Sequence, residues 1–453
     1  MPGPSIPQRQ KRIARSLVAL LLLAIATAGC STYSDRLAEI RTGYFNGDLA
    51  FARRALDEAF EKGKRGEGDV LKLERAMIEL AEGRPKDAEH TLREVRDRFD
   101  QLDGFDVGEK AWTMLSDDNA QAYAGEDYEK VLVRAMLAIS NLLSDGQDAQ
   151  AYALQVIDKQ QEIIERGADE NGENPKLAYQ RVALGPYLHG VVREATHVNF
   201  DDAARSHAMV CSWQPDFKYG PYDVERAVHG RHSAPGNGVL YVFAFVGTGP
   251  MKVETIEVPT QISMLIADRV LSHNLNQSLP PTIAPVPVPK VINFESPVSN
   301  VRVAVNGHPA GVTETVTDVG KLAVQQYEAI YPQVIARAIV RRAVKKGIVY
   351  GAKELTGTDK GSLSSIAFDV AGVIWEATES ADTRSWGLLP DKIQVLRIEL
   401  PAGRHEIALQ PYGAALAGTP TTKSVEILNG DNSYMLCNFP STRHVGQILV
   451  NER

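Results

Sequence analysis

Apolar positions recur every three to four residues from residue 34 to about 215, and every second residue in short runs beyond it. The first regime predicts helices. Arg36-Leu37-Ala38-Glu39-Ile40 begins one, and 43–47 turns the chain. Asp48 then caps 49–60, which lines Ala52, Ala55, Leu56, Ala59 and Phe60 along one face. The same grammar, a turn residue followed by an acidic cap and a small core residue, returns at 83–88, 125–128, 146–149 and 199–203. Gly- and charge-rich stretches at 62–69 and 167–175 read as exposed connectors.

The second regime predicts strands. Residues 238–246 are nearly all apolar and 251–258 alternate, with Gly247-Thr248-Gly249-Pro250 between them, which reads as a hairpin. Five prolines in 280–289 predict an extended linker or an edge segment. Strands follow at 291–294 and 301–305, the latter ending in a tight Asn306-Gly307 turn. A helix over 317–353 buries Tyr327, Ile330, Tyr331, Val334, Ile335, Ala338 and Ile339, and a second, small-residue helix over 364–378 packs against it. From residue 392 the pattern is β to the end, with hairpins 393–400/406–409 and 423–428/433–437. The fold class is therefore α+β: a helical array, then a β-rich, sandwich-like part with an inserted helical pair. The expected divisions are 34–215 helical, 216–316 β-rich, 317–380 helical and 381–453 sandwich-like.

The step from Ala52 to Ala88 is 36 residues, and Ala at each close-packing position lets neighbouring helices approach. The helical half resembles a tetratricopeptide array of degenerate spacing, which implies partner binding along a concave surface. A purely structural all-α domain is the alternative.

The N-terminus changes the picture most. Arg9, Lys11, Arg12 and Arg15 precede a twelve-residue run at 17–28, apolar except for Thr27, too short for a membrane-spanning helix and right for a secretory signal. It ends in Thr27-Ala28-Gly29-Cys30, which resembles a bacterial lipobox, with Thr27 where Leu is commonest. The resemblance implies cleavage after Gly29, a diacylglycerol thioether and an acylated amine on Cys30, with 30–33 as tether. Ser31 resembles the outer-membrane sorting signal. The membrane is then one partner, through the lipid. Cleavage removes four basic residues and no acid, so the body is more acidic than the whole chain's −8. That balance argues against nucleic acid as a partner. Cys211 and Cys437 read as a possible disulfide in an oxidising periplasm or as two buried thiols.

Arg337, Arg341 and Lys345, with Arg342 and Lys346 beside them, form a basic stripe on the 317–353 helix. It reads as a partner- or headgroup-binding face, or as a solvated face paired with the chain's own acids. Asp382-Thr383-Arg384-Ser385-Trp386, together with Gly249-Pro250-Met251-Lys252 and Leu400-Pro401-Ala402-Gly403-Arg404-His405, resembles a family of predicted bacterial lipoproteins. That resemblance implies an envelope location and supplies no catalytic residues. Asp382 and Arg384 read as an ion pair, with Trp386 anchoring a joint between helices and sandwich.

No hydrolase elbow, zinc helix or phosphate loop occurs, so no metal and no cofactor is expected. His229/His232 lack further ligands at fixed spacing, and His207/Cys211 lack an orienting group. Arg181, Tyr187, His189 and Trp213 are candidates for a groove. Two functions remain: a lipid-anchored periplasmic scaffold for envelope proteins, or an envelope hydrolase or modifying enzyme with its site between the helical and β parts. Nothing sets the oligomeric state.

Overall fold

The computed structural model describes residues 33–63, 66–104, 122–168, 172–275, 279, 283–355, 380–413 and 417–451. The signal segment, Cys30 and the 364–378 helix expected from sequence lie outside them.

The helices start where the caps place them. The Asp48 carboxylate accepts from the Phe51 N–H at 2.9 Å and opens α2 (Leu49–Lys62), which packs on α1 (Tyr33–Phe45). The turn residues Gly47, Gly83, Gly125 and Gly146 all have φ between 71° and 84°, the left-handed region a Cβ disfavours. Three further pairs follow: α3 (Gly68–Ala81) with α4 (Pro85–Asp103), α5 (Asp127–Leu142) with α6 (Ala149–Glu165), and α7 (Leu184–Glu194) with α8 (Phe200–Trp213). α9 (Gly220–Val228) ends the array. Each pair also packs on the next, so one core runs through all of them.

Beyond the array the chain builds two stacked sheets. One is mixed, in the order β11 (Leu449–Val450), β10 (Asn432–Phe439), β1 (Asn237–Val246), β7 (Lys392–Pro401), β6 (Glu314–Asp318), with β1 and β10 parallel. The other is antiparallel, in the order β5 (His308–Val312), β4 (Asn300–Val305), β8 (Gly403–Tyr412), β9 (Thr421–Ile427). β1 is buried on both faces. Tyr241, Phe243 and Phe245 join the helical core, while Leu240, Val242, Ala244 and Val246 join Val303, Ile407 and Ile427 between the sheets. The result is three layers: helices, mixed sheet, antiparallel sheet. The β segments 216–316 and 381–453 are thus not separate units, because each contributes strands to both sheets.

Three expected hairpins are corrected. β1 pairs with β7 and β10, not with β2 (Met251–Glu257). β7 and β8 lie in different sheets, as do β9 and β10. In each case a short turn between two apolar strands carries the chain away from its preceding sheet. At the last two it crosses the sandwich. Period-two patterning marks a strand and its buried face but not its neighbour, so hairpins and corners look alike in sequence. The β4–β5 turn does form as expected, with φ of 51° at Asn306 and 81° at Gly307.

β2 pairs instead with β3 (Val286–Ile292) from the proline-rich stretch, in a two-stranded ribbon. Val286 and Val288 are buried while Pro287 and Pro289 alternate with them, so the prolines fall where a missing N–H is tolerated. The ribbon packs on α12 (Tyr331–Leu355), which follows α11 (Val319–Ala329) and packs against α10 (Gln261–Leu275). Ala267, Leu271, Ile335 and Ile339 form this small core.

Candidate functional site

The inner side of the array is not open to a partner where α1, α3 and α5 face the β layer. Residues 381–390 thread there as an extended, buried strap without helix or strand. Glu74 on α3 accepts the Gly387 N–H at 2.6 Å, the Leu388 N–H at 2.9 Å and the Tyr33 hydroxyl of α1 at 3.1 Å. Glu129 on α5 accepts the Trp386 N–H at 2.7 Å and hydroxyls from Tyr123 and Tyr128. Arg41 on α1 donates to the Gly387 carbonyl. Gly387 is required by this approach, since a Cβ there would sit 2.3 Å from Leu37 Cδ2. A backbone segment entering an apolar interior must have its N–H groups satisfied, and two helix carboxylates do that.

The expected signature residues all belong to the strap. Arg384 forks onto Asp382 at 2.8 and 2.9 Å, donates to the Gly66 carbonyl at 2.7 Å and lies over the Tyr123 ring. Burial alone would raise the Asp382 carboxyl, but Arg384 and the Lys252 ammonium hold it below the usual range. Trp386 is wholly buried. Its indole Nε1 has no hydrogen-bond partner among the described residues.

Burial pushes the Glu74 carboxyl up to about 8, against the pull of its N–H donors and Arg41. In the unfolded chain it ionises near 4.3. The folded state therefore holds the extra proton between these values. Its contribution is full below the unfolded pKa and is lost as pH rises through about 8. Glu74→Gln is expected to lower stability by about 1–3 kcal/mol, because its amide meets an N–H donor. It should also flatten the decline of the urea midpoint from pH 5 to 8.5. An unchanged slope would show that Glu74 does not titrate there.

The basic stripe does not form one exposed face. Arg341 and Arg342 are buried, and Arg342 donates to the carbonyls of Ala284 and Pro285. Arg337 is exposed; the side chains of Lys345 and Lys346 lie outside the described set. The apolar small core of α10, α12 and the ribbon draws in the stems of Arg341 and Arg342, which helical spacing alone does not reveal.

Arg337 instead lines an open groove of about 1090 Å3. One wall is the start of α5 with the 3-10 turn Pro175–Ala178; the others are α10, α11 and the start of α12. Ile262 and Leu265 of α10 stand on its lip, 61% and 65% exposed, and Tyr327 and Ile330 face it from α11 and the turn beyond. No element is read from the sequence over 261–275. Its apolar residues do not keep to one face, and only the Thr260/Ser263 cap marks the start.

The other candidates do not converge. His229 is exposed and bonded to the Glu225 carbonyl, while His232 is buried and bonded to Asn432. Arg181 lies over the Trp213 ring, His189 bonds Ser206, and Tyr187 is in the core. Cys211 and Cys437 are separate free thiols, the second buried between the sheets. His207 turns to Glu194 at 3.2 Å and makes no bond to Cys211. Among the described residues no group of His, Cys, Asp and Glu has the arrangement to hold a metal ion. No family model, curated protein or solved structure matches the chain.

Proposed function

We propose that this protein is a lipid-anchored scaffold of the bacterial cell envelope, tethered through Cys30 to the outer membrane and facing the periplasm. It recruits a protein partner into the groove between the array and α10–α12. The observation that carries the docking role is that groove, large, open and apolar on its lip, in a chain whose inner helical face is filled by its own strap. The lipobox at 27–30 supports the anchor. No helix among the described residues is long and apolar enough to cross a membrane. A lipid would then be the means of attachment, since several acyl chains bury many methylenes at about 0.8 kcal/mol each.

Cys30→Ala should release the protein from the membrane fraction and abolish labelling by radiolabelled palmitate in cells. Continued partitioning together with continued labelling would show that Cys30 is not the anchor.

The hydrolase reading has one observation in its favour. Glu194, His207, Asp223 and Arg226 converge between α7, α8 and α9, with Arg226 spanning Glu194 at 3.0 Å and Asp223 at 2.6 Å. These groups bond one another, His207 Nδ1 and Asp223 Oδ2 are buried without a hydrogen-bond partner among the described residues, and no described serine hydroxyl or cysteine thiol is bonded to His207. A nucleophile beside its base is what such a site would need, so the scaffold reading is preferred.

A further inference from the structure

The groove has a chemistry as well as a shape. Its array wall is largely neutralised from within: Lys130 pairs with Asp103 at 2.7 Å, Lys176 with Asp127 at 2.7 Å, and Glu126 with the buried Lys252, while Glu173 also lines this wall and is exposed. The opposite wall is not. Arg269 on α10 and Arg337 on α12 both line the groove, are exposed, and have no carboxylate partner among the described residues. Arg269 follows Leu265 by four residues and Ile262 by seven, so an apolar lip and an exposed guanidinium share one helix face.

The groove is open and concave, about 1090 Å3 in volume. A bilayer surface is flat and does not enter a concavity, whereas an amphipathic helix lays its apolar stripe into one.

Resting on the groove as the docking site, we infer that its occupant is a short amphipathic helix of a protein partner. That helix seats its apolar stripe on Ile262, Leu265, Tyr327 and Ile330 and sets flanking Asp or Glu residues against Arg269 and Arg337. The arginines select charge, and the apolar walls supply the hold.

The test uses the purified full-length protein with a photo-reactive residue at Leu265, mixed with vesicles of phosphatidylcholine and phosphatidylglycerol. Two fluorescent 14-residue helical probes share one Leu stripe and differ only in carrying Glu or Lys beside it. The Glu probe should bind about tenfold or more tighter than the Lys probe and form the adduct. Arg269→Glu with Arg337→Glu should reverse that order. Equal binding, binding of neither probe, or an order that survives the reversal would overturn the inference. Phospholipid adducts at Leu265 that the Glu probe does not displace would overturn it in favour of a bilayer. Partner adducts at Leu265 in cells alongside equal probe binding would defeat this inference while leaving the groove as the docking site.

Discussion

Trp386→Ala lowers the stability of the folded chain by about 3–5 kcal/mol, the range for deleting a large buried aromatic side chain. Trp386 is 0% exposed and joins the core that runs through the helical array and the inner face of the mixed sheet. Its own N–H is held by Glu129 at 2.7 Å, so the side chain is fixed by the backbone it belongs to. The cavity cannot be filled by a local shift, because Gly387 beside it is already tight against Leu37 and bound to Glu74. The urea midpoint measured by far-ultraviolet circular dichroism reads the loss. Leu177→Ala, at a side chain 73% exposed, should change it by less than about 0.5 kcal/mol. Similar midpoints for the two variants would mean that the strap does not carry the joint.

Arg384→Ala is expected to cost a comparable 3–5 kcal/mol, for an electrostatic reason. The guanidinium is 3% exposed, forks onto Asp382 and satisfies the Gly66 carbonyl between α2 and α3. Removing it leaves a carboxylate and a carbonyl without that donor. Lysine should not rescue it, since a single ammonium cannot supply the fork. The pair is best read by a double-mutant cycle. Asp382→Ala combined with Arg384→Ala should cost less than the sum of the single changes, because the second deletion removes the charge the first exposed. Strict additivity would show that the two side chains do not act as a pair.

Much of the α+β architecture was legible in the chain. Asp48, the turn glycines and Pro85 marked where helices begin, and Asn306-Gly307 marked a turn that forms as read. What was not legible is which surfaces meet. Strands β1, β7 and β9 each end in a short turn, and only the tertiary arrangement sends the first to the β2–β3 ribbon and makes the other two corners between the stacked sheets. Arg341 and Arg342 read as a charged face, but the ribbon and α10 close over them. The Asp382–Arg384 pair and Trp386 were visible as a joint, yet not their destination inside the array. The missed signal was Glu74, a carboxylate set among Val70, Met77 and Ala81, where only a dedicated set of donors makes burial tolerable. The groove was invisible because its lip belongs to α10, whose apolar residues keep to no single face.

We propose that a lipid-anchored body offers its groove, and not its helical inner face, to one envelope partner. Photo-crosslinking in the host tests it most directly, with the reactive residue at Leu265 in the groove or at Tyr222, 68% exposed and elsewhere on the array. Leu265 should repeatedly yield the same envelope protein, Tyr222 should not, and the adduct should disappear in the Cys30→Ala background. Equal adducts at both positions, no adduct at Leu265, or an adduct that persists without the anchor would contradict it.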